Sequence, residues 1–180
     1  MARPSNTAER RAQIANGLMK VMAKRGYDGA TIADVAAAAR LTPGLVHYHF
    51  KDKREILLAA LEQLVASHDE RLNAVMGGTQ SVNAFLDFHL GLGRDADPQA
   101  MACWILMTGE ALRDAKVRAL LGKALNRMAA RLEKEVGRDA AAALVALIHG
   151  YYMLSATART LIPKGSAART AKKMAAGLLR

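Results

Sequence analysis

Apolar positions recur at three- and four-residue intervals along almost the whole chain, and no run of alternating β-branched residues is long enough to predict a strand. Ile14, Leu18, Val21 and Met22 make one stripe of a helix predicted over about 7–25, which Gly26 ends ahead of a Tyr27-Asp28-Gly29 turn. Thr31 can cap a short helix whose inner face is Ile32, Val35 and Ala36. Arg40-Leu41-Thr42 breaks that pattern. Thr42 then caps a second helix hardly two turns long, with Pro43 at its first position and Gly44, Leu45, Val46, His47, Tyr48, His49 and Phe50 behind it. Ile14, Leu18, Ile32, Val35, Leu41, Val46 and Phe50 would close a small core among these three helices. Two short helices joined by a tight turn form a helix-turn-helix, whose second helix enters the DNA major groove.

Asp52 can start a longer helix reaching about residue 76, with Ile56, Leu57, Ala60, Leu61, Leu64, Leu72 and Val75 inward. At ~1.5 Å per residue it spans roughly 35 Å, enough to link two domains. Gly77-Gly78 ends it. Further helices are predicted over 81–93, around Val82, Phe85, Leu86, His89 and Leu92, and from Asp97-Pro98 through Met101, Trp104, Ile105 and Met107. A break at 113–116 leads into a helix carrying Val117, Leu120, Leu121, Leu125, Met128 and Leu132 to about Gly137. Asp139 caps the next, through Leu144, Leu147, Ile148, Tyr151, Met153 and Leu154 to about residue 161. After Pro163-Lys164-Gly165, Ser166 caps a last helix to about 179. The expectation is an all-α chain of about nine helices. A three-helix DNA-binding domain takes 1–54, and a larger helical domain takes 55–180.

Composition agrees with that class. The chain is 52% hydrophobic but only 4% aromatic, so Ala, Leu, Met and Val supply the core. A net charge of +10 favours an anionic partner such as nucleic acid. Its distribution matters more: residues 1–54 hold ten Lys/Arg against four Asp/Glu, the remainder sixteen against twelve. Single Cys103 excludes an internal disulfide framework and fits a reducing cytosol. The N-terminus shows no signal-peptide pattern, and no stretch approaches the ~20 apolar residues that span a bilayer, so a soluble cytoplasmic protein is expected.

Docking geometry assigns Thr42, Pro43, Gly44 and Leu45 to base edges, and His47, Tyr48 and His49 to phosphates. Thr31 combines a cap with a possible phosphate contact. Lys53 stands near a helix start, where the dipole disfavours a cation, and is expected to point outward to a phosphate. Arg3, Arg10, Arg11 and Arg40 are further candidate backbone contacts, each equally readable as a solvated charge. Enzyme motifs are missing: no Glu-x-x-His pair, H-E-x-x-H, P-loop, G-x-G-x-x-G after a strand or G-x-S-x-G elbow. The five histidines are scattered, without companions at zinc spacing, so neither catalytic residues, nor a metal, nor a cofactor are expected.

The stretch GYDGATIADVAAAARLTPGLVHYHFKDKREIL resembles the helix-turn-helix domain of the TetR family of transcriptional regulators. Gly26, Tyr27, Thr31, Ile32, Val35, Ala36, Ala39, Leu41, Gly44, Val46, His49, Phe50, Lys53 and Leu57 match that family's pattern, over roughly residues 7–58. His47 replaces its usual first aromatic, and Pro43 stands where Ser, Thr or Lys is frequent. Met101-Ala102-Cys103-Trp104, Gly109-Glu110-Ala111 and Ile148-His149-Gly150 look similar to the betaine-regulator branch. The resemblance implies a homodimeric, effector-responsive repressor on a palindromic operator. The dimer would form through the last two helices, about 139–179, where Gly150, Ser155, Ala156, Ala158, Ala171, Ala175 and Gly177 permit close approach. An unidentified small-molecule effector would meet Phe85, Phe88, His89, Trp104, Met107, Glu110, His149, Tyr152 and Met153, each of which could equally be helix-packing core. The competing class is a helical module that coats DNA by charge alone, without an effector.

Overall fold

The computed structural model describes residues 6–78, 81–91, 98–158, 160–163 and 165–177, and among them nine helices and no strand. They are α1 (Asn6–Arg25), α2 (Ile32–Ala39), α3 (Pro43–His49), α4 (Lys53–Met76), α5 (Val82–Leu90), α6 (Pro98–Ala111), α7 (Ala115–Val136), α8 (Arg138–Thr157) and α9 (Ser166–Ala176). The chain forms two compact units. One takes the chain up to Ala66 together with Pro98–Leu121, and the other takes the remainder, so α4 and α7 each contribute to both.

In the first unit Ile14, Leu18, Val35, Val46 and Phe50 are fully buried, while Ile32 and Leu41 sit half-buried at the rim. Gly17 sets the spacing of α1 and α2: a Cβ there would lie 2.8 Å from the Val35 carbonyl oxygen and 3.1 Å from the Ala39 Cβ. Helix α6 belongs to this unit. Its Cys103 thiol donates to the Met19 carbonyl of α1 at 3.6 Å, and Cys103, Trp104 and Met107 are buried. Gln63 of α4 donates to Asn16 of α1 at 2.9 Å. The compact units are therefore drawn differently from the division at 54/55, because α6 and the first turns of α4 and α7 bury their apolar faces here.

The second unit packs Leu72 and Met76 of α4 with Phe85, Leu86 and Leu90 of α5, Met128, Leu132 and Val136 of α7, and Leu144, Val145 and Ile148 of α8. Ala167, Ala171 and Ala175 complete this core, so two of the small residues expected at a dimer seam serve close packing inside one chain. Val82 N–H, at the start of α5, donates to Glu135 of α7 at 2.9 Å.

Several expected positions shift. Val75 is exposed and Met76, one turn beyond Leu72, takes its buried place. Gly137, at φ +84°, begins α8, which puts Asp139 in the first turn, where its charge still suits the dipole. That helix ends at Thr157 rather than near 161, since Ala158 leaves the helical region at φ −136°, ψ 60°. Gly165, at φ +71°, precedes α9, which makes Ser166 its first residue and not its cap. Leu92, the 94–97 loop, Lys164 and Leu179 lie outside the described residues.

Helix α8 also departs from the expectation that nothing approaches a membrane-spanning segment. At 20 residues and mean hydropathy 1.4 it is long and apolar enough by length and composition, and only 22% of that window is buried within the chain. Ala142, Ala146, Gly150 and Met153 recur along its exposed side at helical spacing.

Candidate nucleic-acid interface

Two caps and one left-handed residue shape the helix-turn-helix. Thr31 and Asp34 form a reciprocal capping box: the Thr31 hydroxyl accepts from Asp34 N–H at 3.1 Å, and the Asp34 carboxylate accepts from Thr31 N–H at 3.2 Å. The same hydroxyl donates to Asp34 at 2.6 Å, and Arg25 pairs with that carboxylate at 3.0 Å. The Thr31 bonds, followed by Arg25, hold the Asp34 carboxyl below its ordinary range. The Thr31 hydroxyl proton is thus occupied. What α2 can still offer a phosphate are the first-turn N–H groups of Ile32 and Ala33.

Arg40 turns the chain at φ 54°, ψ 44°. Its N–H reaches the Ala37 carbonyl at 3.0 Å, and the Leu41 N–H reaches Ala36 at 2.9 Å, the two bonds of a Schellman stop. Thr42 then caps α3, its hydroxyl accepting from Leu45 N–H at 3.3 Å, with Pro43 at the first position.

Seven residues suffice to give α3 two faces. Val46, with Phe50 one turn on, points into the core; Pro43, Gly44, His47 and Tyr48 are exposed, and Leu45 and His49 sit at the boundary. Tyr48 is 80% exposed, with its ring edge-on to His49 at 5.0 Å. A Cβ on Gly44 would meet nothing within 4 Å, so packing within the chain does not require glycine there. Eight of the nine sequence-derived contacts, from Thr31 through His49, therefore lie on or beside the exposed surface of the motif.

Lys53 does not. Its ammonium donates to the carbonyls of Tyr27 and Ala30 at 2.9 Å each and of Asp28 at 3.5 Å, and lies 4.4 Å from the Tyr27 ring centroid. Its donors meet carbonyls of the α1–α2 turn, of which Tyr27 also accepts from Ala30 N–H at 3.1 Å, so the side chain expected to face phosphate fastens α4 to that turn. Arg11 is likewise engaged inside the unit. Its guanidinium lies 4.0 Å from the Phe50 ring centroid, donates to the His49 carbonyl and pairs with Glu55 at 2.9 Å. Lys51 N–H and then Arg11 hold the Glu55 carboxyl below its ordinary range. Arg10 donates to Gln13 at 2.7 Å; Arg3 lies outside the described residues.

The exposed cations flanking α3 are Arg40, at the turn before it, and Lys51, directly after it. Sequence reasoning passed over Lys51, although its place two residues beyond His49 was the available signal. Further along, Arg54 makes a two-pronged pair with Asp114, whose carboxylate also accepts from Lys116 and Val117 N–H at 2.8 and 3.2 Å. One carboxylate thus starts α7 and holds the first turn of α4. Its pKa lies well below the usual range, chiefly because of Arg54.

The residues assigned to an effector pocket divide between the units. Trp104, Met107 and Glu110 are in the first. In the second, Phe85, Phe88 and His89 cluster, with the His89 ring 4.2 Å from Phe85 and 4.9 Å from Phe88. His149 and Tyr152 are neighbours at 6.2 Å, and burial holds the Tyr152 phenol above its ordinary pKa. Met153 is 50% exposed, on the outer side of α8 and not in an interior wall.

Residues 14–60 match the sequence profile described as bacterial regulatory proteins, tetR family. The transcriptional regulator BetI of Rhizobium meliloti is 25% identical over 115 residues, covering 62% of this chain and 57% of that protein. The regulator TtgR of Pseudomonas putida is 38% identical over 66 residues, 37% of this chain and 31% of that protein. A TetR transcription regulator from Haloarcula marismortui superposes with a TM-score of 0.83 at 17% identity, covering 96% of this chain and all of that one. The matched residues form α1 from Ile14 onward, α2, α3 and the first turns of α4. Residues 14–60 thus carry the sequence pattern of the tetR family of bacterial regulatory proteins, on a chain whose fold is that of the superposed regulator.

Proposed function

We propose that the protein is a DNA-binding transcriptional regulator, an effector-responsive homodimeric repressor of a palindromic operator. The observation that carries this reading is the outer face of α3, where a capped turn presents Thr42, Pro43, Gly44, His47 and Tyr48 around a glycine with open space above it. Thr42, Pro43, Gly44 and Leu45 meet base edges. His47, Tyr48, His49 and the first turn of α2 behind Thr31 meet phosphates, and Lys51 and Arg40 add charge. Lys53 supports the motif from behind. Pro43 brings no N–H and no side-chain donor to the groove, so its contribution is shape.

A second copy covers the exposed side of α8, where Ala142, Ala146 and Gly150 permit close helix approach and Met153 and Leu154 supply apolar contact; α9 borders that face with Met174. The dimer spaces two α3 helices about one DNA turn apart or a little more. Residues 1–54 act on DNA and 55–180 on effector and partner, with the aromatic and histidine residues named above as the effector-contacting set. An effector acts by binding more tightly to a conformation with the wrong spacing, and α4, which contributes to both units, transmits the change. The protein works in the cytoplasm and carries out no chemical reaction.

A gel shift tests this reading at ~150 mM salt, where charge-only binding is strongly weakened. A repressor retains one palindrome in the presence of excess random DNA. Equal retention of all sequences would instead identify a charge-driven coating module.

A further inference from the structure

Helix α3 has seven residues, too few to hold a shape or direction of its own, so its course is set by what fastens its two ends. The first end is fixed locally, by the Thr42 cap and Pro43. The last end is fixed from outside. The Arg11 guanidinium of α1 donates through Nη1 to the carbonyl of His49, the final residue of α3, and through Nη2 to Glu55 Oε1 of α4 at 2.9 Å. It also lies 4.0 Å from the ring centroid of buried Phe50. Glu55 uses its other oxygen, Oε2, to accept from Lys51 N–H at 2.9 Å, while its own N–H donates to Asp52 at 2.8 Å. One cation and one carboxylate thus tie the 49–51 backbone to α1 and α4. The same short stretch carries the exposed side chains of His47, Tyr48 and Lys51.

We propose that Arg11 and Glu55 are positioning residues for DNA binding: they touch no nucleic acid, and they fix the angle at which His47, Tyr48, His49 and Lys51 meet phosphates. The inference rests on the DNA-binding reading above and adds two residues to it that face their own chain. Arg11 suits the task by its planar fork, whose separate nitrogens hold a carbonyl and a carboxylate while its face covers an aromatic ring, an arrangement lysine cannot copy. Its positive charge also lies at the C-terminal end of α3, where the helix dipole favours it. Glu55 carries the stronger argument. By charge alone a carboxylate beside the Lys51 backbone opposes a phosphate partner. Its presence there favours DNA only through the geometry it imposes. The pair is half-exposed, so its bare Coulomb attraction adds little to folding, and its main effect falls on orientation.

The test uses the full-length chain, the palindromic duplex enriched from a random library, and a random duplex, at temperatures where melts show each variant folded. E55Q removes a negative charge, yet should bind the palindrome at least about threefold more weakly than the parent while binding the random duplex no more weakly. R11M should also weaken palindrome binding, with the salt slope unchanged; K51Q, which loses a phosphate contact, should lower that slope by ~1. The R11M/E55Q double variant should bind about as the weaker single variant does, since the two residues act as one device. Without DNA, amide hydrogen exchange over 43–51 should quicken in E55Q and R11M while that of the rest of α1 and α4 holds. Palindrome binding by E55Q as tight as the parent's, a slope lowered by ~1 in R11M, or unchanged exchange over 43–51 overturns the proposal, and E55Q decides it alone if R11M fails to fold. A parent protein that enriches no sequence overturns the regulator reading and the positioning role with it, whereas a selective parent beside an unaffected E55Q overturns the positioning role only.

Discussion

Gly44 and Lys53 are one turn or more apart in role as well as in sequence, and substitution separates them. Because a Cβ at 44 meets nothing, Gly44→Ala should raise the stability of the free protein by ~0.5–1 kcal/mol, while the added methyl at the groove weakens operator binding. Thermal melts and a binding titration on one sample check both signs. Lys53→Met should cost ~1–3 kcal/mol of stability through loss of its bonds to the Tyr27 and Ala30 carbonyls and leave the salt dependence of DNA binding unchanged. Lys51→Gln should do the reverse, holding the melting temperature and lowering the salt slope by ~1. The exposed positions of α3 were legible in the sequence because a capped two-turn helix with Val46 inward has only one way to face. The engagement of Lys53 was not, because periodicity cannot report which carbonyls a neighbouring turn presents to it.

At the scale of elements, the contact of α1 with α2 depends on Gly17, and Gly17→Ala should destabilise by ~1–3 kcal/mol through overpacking against the Val35 carbonyl. Helix starts in the first unit also make it acid-sensitive. Asp34, Glu55 and Asp114 each cap a helix or pair across elements with a folded pKa below the ordinary 3.8 or 4.5. Groups depressed in this way contribute stability that is complete above their unfolded pKa and is lost as pH falls through and below it. Melts at pH 7 and 5 should therefore nearly coincide, and those below about pH 4 should drop; Asp114→Asn should start lower at pH 7 and fall less in acid. Caps such as Thr31 and Thr42 could be read in advance because they act within four residues. The Arg54–Asp114 pair, sixty residues apart, could not.

The whole molecule is where the sequence division at residue 54 and the packing diverge. Helix α6 is apolar enough to bury against α1, and no local signal distinguishes that from burial beside α5 or α8. The apolar outer side of α8 is exposed, and in the proposed dimer its small residues meet a second copy, whereas Ala167, Ala171 and Ala175 of α9 are buried within the chain. Ala146→Arg, at an exposed position, should leave the monomer folded and convert a dimer to monomer in sedimentation velocity, with loss of tight DNA binding. Selection from a randomised duplex library at ~150 mM salt, followed by titration of the enriched and scrambled sequences, reads sequence preference itself. A palindrome-specific regulator enriches one palindrome, half-sites about one helical turn apart or slightly more, bound at least ~10³-fold more tightly than scrambled DNA. A library that emerges without a palindrome, or equal affinity for enriched and scrambled duplexes, would contradict the proposed function.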